Sequence, residues 1–430
     1  MTRTGELTQP VAASLSRRLL LWALLGLVFV SLLDPADQIL HLKVPFFIAV
    51  MLIWLCRRGI TGRTVSLPVW TLTIAVAVVL PVAFTAIGIL NFTVHSGDAP
   101  LALLKSFLFL LLMPVLVSED IDLVSLLIRM SLVVALVTIA MAVIDRLSPV
   151  LFVGLYNFTI AKKNADITVW RDSFGLGIGM FYYKTSPLMI FPLAYYGSHV
   201  FQSRPGRLRS LGMTILFSAA LLVSGARANV LAGLFVLASM TLAQVRRTVG
   251  WHGAIALAAL GILAASATIV PKAFDKQEYS NGVKLGHIRS YAEEFSEKAP
   301  TLLWGEGANS GFYSEGFQDW ATTTELTYLE MVRQFGIPVA VLLGAGLVWI
   351  GYLLAAKGEW PLLLAYVAYL AISASNPLLL SSTGLLAICA SWNEAMHPAD
   401  NQSAFSLPGL SVLANDLPHS SSTPRMASSA

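Results

Sequence analysis

Apolar runs separated by short polar connections recur from the N-terminus to Cys389. About twelve can be delimited: Leu19–Leu33, Val44–Cys56, Pro68–Leu90, Leu101–Val117, Leu123–Ile144, Pro187–Phe201, Leu211–Val223, Val230–Ala243, Ala254–Val270, Ile337–Leu354, Pro361–Ser373 and Leu378–Cys389. A helix needs about 20 apolar residues to cross the hydrocarbon of a bilayer. Several runs are shorter, so the pattern predicts spans with soft ends. The last two are the least regular, because "SASNPLLLSSTG" reads either as a tight hairpin or as a broken helix. The N-terminal "SRRLLLWALLGLVFVSLLD" has the basic-then-apolar order of a signal peptide. No small-residue cleavage site follows it, and it reads as the first span. No internal repeat is visible, which does not support an inverted-repeat transporter.

Composition agrees with this pattern. The 430 residues are 56% hydrophobic and 12% charged, against roughly 25% charged in soluble domains. The chain therefore reads as an all-α polytopic membrane protein with a membrane domain over residues 1–392. The Ser-, Pro- and Asn-rich segment 393–430 lacks the apolar content to fold and is expected to be a disordered cytoplasmic tail. The two cysteines, Cys56 and Cys389, form no disulfide framework and no metal-type spacing.

Basic residues orient the spans. Arg17, Arg18, Arg57, Arg58, Arg63, Arg204, Arg207, Arg209, Arg246 and Arg247 fall in connections on one side, and only Lys43 lies in the short connections on the other. The loop "SEDID" is a mild exception. Both termini are thus expected in the cytoplasm. Two long loops, about 145–186 and 271–324, are expected on the outer face, where function usually concentrates. The scattered Lys and Arg residues do not gather on a nucleic-acid-binding face. Lys105 and Arg129 lie near span ends, where snorkelling explains them.

Five stretches carry candidate chemistry. In "SGARANVLAGL", Arg227 is either an interfacial arginine or a guanidinium held among Ser224, Gly225 and Ala226 to grip an anion. "GHIRSYAEEFSEKAP" predicts a loop helix ending before Pro300, with Glu294 and Lys298 at i,i+4 spacing and His287 and Arg289 near its start. Arg289 there either pairs with Glu293 on a solvated face or faces a ligand. In "LLWGEGANSGFY", Gly305, Gly307 and Gly311 permit tight turns and close backbone approach. In "TTTELTYLEMVRQFG", Thr322-x-x-Glu325 fits a capping box. Alternatively, Glu325 is a base or an acceptor-orienting carboxylate with Tyr328 beside it. Glu330 is expected to pair with Arg333 or Gln334 on a wet face. Finally, loop residues Arg171 and Lys184, with Lys162, Lys163 and nearby aromatics, suit either an anionic sugar or a membrane-interface belt.

The order of these features resembles the Wzy-type polymerases and O-antigen ligases of bacterial surface polysaccharide assembly. It is closest over about Ser224 to Cys389. Ligases typically carry a histidine just before the corresponding span, and this chain carries Glu325. That points to the polymerase branch. The resemblance implies a C-type glycosyltransferase of the bacterial inner membrane. It would polymerise undecaprenyl-diphosphate-linked oligosaccharides at the periplasmic face by metal-independent, inverting transfer, with no cofactor. Arg227 and Arg289 would face the diphosphate, and Glu325 with Tyr328 the acceptor hydroxyl. Arg171, Lys184 and His287 would contact the saccharide. The bilayer, a chain-length regulator and a flippase would be its partners. A ligase, or a transporter of lipid-linked sugars, remains the alternative.

Overall fold

The computed structural model describes residues 8–62, 64–91, 99–161, 167–169, 181–201, 206–244 and 279–396. The ninth apolar run, Ala254–Val270, and residues 162–166 and 170–180 of the first long loop lie outside them, as do Arg171 and the 397–430 part of the tail.

Helices dominate, as the apolar runs predict. The principal ones are α1 (Thr8–Leu33), α2 (Lys43–Thr61), α3 (Leu67–Leu90), α4 (Ala99–Phe107), α5 (Leu112–Glu119), α6 (Leu123–Leu147), α7 (Pro149–Ala161), α8 (Ile190–Phe201), α9 (Arg207–Val223) and α10 (Arg227–Gln244). After the undescribed stretch come α11 (Tyr279–Glu297), the single turn α12 (Thr301–Trp304), α13 (Thr327–Ala356), α14 (Trp360–Ser373) and α15 (Ser382–Met396). Among the described residues six helices are long and apolar enough to cross a membrane: α1 (over Ser14–Leu33), α2, α3, α6, α10 and α13. The chain is an all-α membrane protein at this level. Two short antiparallel hairpins complete it, β1 (Ile167–Val169) with β2 (Phe181–Tyr183) and β3 (Phe312–Ser314) with β4 (Asp319–Ala321).

The first long loop differs from its expectation. α6 runs on to Leu147, and α7 follows as a further apolar helix before the hairpin. "PVLFVGLYNFTIA" has no charged residue and continues the apolar character of α6 past Leu147.

The centre of the bundle is α15. Most of its residues, from Ser382 to Ala395, are buried. Its small residues Gly384, Ala387, Ala390 and Ser391 let neighbours approach. "SASNPLLLSSTG" forms a compact turn between two helices, and Ser381 Oγ accepts from Gly384 N–H at 3.1 Å to cap α15.

Helix ends gather in two sets. At one end the buried pair Arg57–Glu119, 2.6 Å apart, joins α2 to α5. There Lys357 Nζ also donates to Glu394 O at 2.9 Å. At the other end, Thr327 Oγ1 donates to Asn376 O (2.7 Å) and Lys43 Nζ to Ser382 Oγ (3.1 Å). Thr185 Oγ1 donates to Leu32 O (2.8 Å) and Asn229 Nδ2 to Ser186 Oγ (2.8 Å). The stretch from α11 to Thr324 packs onto this second end, the loop end.

Candidate functional site

The loop end is organised by a break in α13. Gly336 is non-helical (φ 75°, ψ 162°) and Pro338 follows. Pro338 has no N–H, so the carbonyl four residues earlier, Gln334 O, loses its helical partner. Gly307 N–H supplies one at 3.1 Å, and Glu306 N–H serves Arg333 O at 2.8 Å. Ala308 N–H reaches Phe84 O of α3 at 2.8 Å, and Asn91 Nδ2 reaches Glu306 O at 3.3 Å. The glycines of "WGEG" permit this clasp. Gly305 (φ 73°) would place a Cβ 2.3 Å from Gln334 O, and Gly307 (φ 97°) would place one 2.1 Å from Gly88 N. The close backbone approach expected of Gly305 and Gly307 is thus realised. The break leaves Ile337–Ala356 as the stretch of spanning length, and Thr327–Phe335 as a separate piece at the loop end.

That piece carries a buried ionic cluster. Arg333 is fully buried and donates to Glu306 Oε2 (2.9 Å), Ser310 Oγ (2.7 Å), Thr322 O (3.1 Å) and Glu330 Oε1 (2.5 Å). Gln334 donates to Glu330 at 2.5 Å, and Tyr291 OH donates to the same carboxylate while bonding Thr324 Oγ1 at 2.7 Å. The Phe312 ring lies 4.4 Å from the guanidinium carbon, a cation–π contact. Burial first, and then the Glu330 charge, pushes the Tyr291 hydroxyl well up, so it stays a proton donor. Lys298 extends the cluster outward, bridging Glu294 (2.5 Å) and Glu306 (3.3 Å). Burial and the hydrogen bond to Glu306 hold the Glu294 carboxyl above its ordinary range. Burial also opposes ionisation of Glu306. The Glu294 hydrogen bond and the Arg333 and Lys298 charges outweigh it, and Glu306 lies below its usual range.

Two expectations are corrected here. Glu330 does pair with Arg333 and Gln334, but on a buried face, with 3% exposure rather than a wet one. The β3–β4 hairpin and α11 cover it. The capping box does not form either. α13 starts at Thr327 with Leu326 at the cap position and no side-chain cap bond. Thr324 Oγ1 accepts from Leu326 N–H at 3.2 Å in a local turn, which moves the helix start beyond Glu325.

His287 sits inside α11 with no exposed surface. Its Nδ1 lies 2.6 Å from Ser314 Oγ, and the Phe317 ring packs edge-on at 4.4 Å. Burial lowers its pKa, opposed by the nearby Glu325 and Glu330 charges and aided by Lys284. A Cβ on Gly316 would lie 2.6 Å from His287 Nδ1, so the hairpin turn is seated directly on the ring.

Glu325 is half-buried just outside α13, with Lys284 of α11 at 3.7 Å. The structure thus brings Glu325, Lys284 and His287 into one neighbourhood. Lys284 carried no signal in the sequence beyond its place three residues before His287. Tyr328 commits its hydroxyl to Leu370 O of α14 at 2.9 Å. Arg289 lies on the exposed face of α11. Arg227 is the half-buried first residue of α10, after Gly225 (φ 67°). Asn229, fully buried, fixes that turn through Ser224 Oγ (3.1 Å) and Ser186 Oγ (2.8 Å). Lys184, two residues before Ser186, is thereby held at the same end. Arg171 lies outside the described residues.

No family model, curated protein or solved structure matches the chain. Among the described residues no group of three or more His, Cys, Asp or Glu side chains is placed to hold a metal ion. The loop end carries the half-buried cations Arg227, Lys184 and Lys284 and the half-buried carboxylates Glu294 and Glu325 beside apolar spans. Such a set can bind an anionic, lipid-borne head group and orient a neutral hydroxyl.

Proposed function

We propose that the chain is a membrane glycosyltransferase that polymerises undecaprenyl-diphosphate-linked oligosaccharides at the periplasmic face of a bacterial inner membrane. One observation carries the reading. The Ser224–Asn229 turn, the α11 helix, the "WGEG" loop and Glu325 gather at one end of the bundle, where the apolar part of α13 begins.

In this reading the saccharide leaves its diphosphate carrier as an acceptor hydroxyl attacks. The leaving diphosphate gains charge as the bond breaks, and a fixed guanidinium stabilises it in a low-dielectric setting. Arg227 serves this role, because it never deprotonates and the turn that bears it is fixed by Asn229. Glu325 accepts the proton of the acceptor hydroxyl. The test is purified protein in nanodiscs with a lipid-diphosphate-linked repeat. A ladder of longer glycans is expected, and its absence with a correctly folded protein overturns the reading.

A further inference from the structure

The β3–β4 hairpin exposes Tyr313 and Trp320 on its strands and Phe317 at its turn. Inward positions Phe312, Ser314 and Ala321 are buried. Outward positions Tyr313 and Trp320 are opposite each other in register, with 49% and 60% of their surface exposed. Side chains directly opposite in an antiparallel pair lie roughly 4.5–5.5 Å apart at Cβ, so the two side chains leave the same face of the hairpin from neighbouring positions. The hairpin is fixed from below. Glu315 N–H donates to Ser290 Oγ at 2.8 Å, and a Cβ at Gly286 would lie 2.6 Å from Gly316 N.

We propose that Tyr313 and Trp320 form a stacking platform for the saccharide of the substrate, with the carboxylate of Glu315 beside it. The apolar faces of sugar rings would lie on the two aromatic rings, and the carboxylate would accept hydrogen bonds from sugar hydroxyls. Charge favours a sugar over a lipid surface. From Ser310 to Val332 there is no Lys or Arg, while Glu315 and Asp319 are both exposed on the hairpin. Anionic headgroups repel such a segment. The platform rests on the glycosyl-transfer reading, and it deepens that reading by naming a subsite for the glycan.

The experiment uses full-length protein in nanodiscs and, as probe, oligosaccharides released by mild acid from the lipid-linked repeat. Saturation-transfer NMR is expected to show contact of the sugar with aromatic protons. Trp320→Ala and Tyr313→Ala are each expected to weaken binding about tenfold, equivalent to about 1.4 kcal/mol. Trp320→Phe should retain most of the binding. Trp360→Ala, an exposed aromatic at the opposite end of the bundle, should leave it unchanged. Equal binding in wild type and Trp320→Ala overturns the platform, as does quenching of Trp320 fluorescence by brominated lipid. Because the sugar is bound without turnover, a protein that binds through Trp320 but makes no ladder would overturn the enzymatic reading alone.

Discussion

Arg333 and Glu306 lie 2.9 Å apart, 27 residues apart in sequence, with neither side chain more than 3% exposed. Together with Glu330 they make the loop end a charged core rather than an apolar one. A buried ion pair is weak evidence of net stability, but breaking one leaves an uncompensated charge. Arg333→Met leaves Glu330 with no cation and Glu306 with Lys298 alone, and should cost about 3–5 kcal/mol. Arg333→Lys should fall between, because one ammonium cannot serve Glu306, Ser310, Thr322 O and Glu330 together. Thermal melting in a fixed detergent reads both, and an unchanged midpoint in Arg333→Met would refute the cluster's role.

The glycines of the clasp divide sharply from those elsewhere. Gly305→Ala must find room against Gln334 O in a backbone conformation that L-residues avoid. It should sharply reduce the yield of folded protein. Gly282 is exposed within α11 with nothing near its Cβ position. Gly282→Ala should be neutral or stabilising by up to about 1 kcal/mol, since alanine is the better helix former. Yield and melting of the two variants side by side make the comparison.

The burial of His287 gives the loop end a pH dependence. Its folded pKa is lowered below the ordinary value of about 6.5. The neutral ring is therefore the form the fold prefers. Its contribution to stability is present above the unfolded pKa and is lost as pH falls through the folded value. Glu294 acts in the opposite sense, because its folded pKa is raised and its contribution is lost as pH rises. In a Glu294→Gln background, protease sensitivity of the loop end should rise steadily between pH 8 and pH 5. His287→Asn in that background should flatten the profile. A slope that persists without His287 would assign the effect elsewhere.

Much of the scaffold was legible because its signals are local. The apolar run beginning at Ile337 coincides with the residue after the Gly336 break, and the i,i+4 pair Glu294–Lys298 forms as its spacing implies. The partners of Glu330 at positions 333 and 334 were also legible. Its burial was not, because Tyr291 and Phe312, which help to cover it, reach the site only through tertiary packing. The misread helix start has a similar origin. Thr322-x-x-Glu325 satisfies the capping-box spacing, but the Thr322 carbonyl is held by Arg333 and Thr324 supplies a competing local bond. Local spacing cannot weigh a partner that arrives from across the fold.

Freed from the cap, Glu325 can be separated from the fold by mutation. Its ion pair with Lys284 spans 3.7 Å, with both side chains about a third exposed. Pairs of that kind contribute about 0.2–1 kcal/mol. Glu325→Gln and Glu325→Ala should therefore melt within about 1 kcal/mol of wild type. If the carboxylate accepts the acceptor proton, both variants lose the glycan ladder in the nanodisc assay, and Lys284→Met, which leaves the carboxylate in place, retains partial chain growth. If Glu325 serves only to dock α11, Lys284→Met reproduces the full defect and Glu325→Gln, which can still hydrogen-bond Lys284, retains growth. The ranking of these three variants, measured as ladder length and yield at equal protein, decides between a chemical and an anchoring role for Glu325.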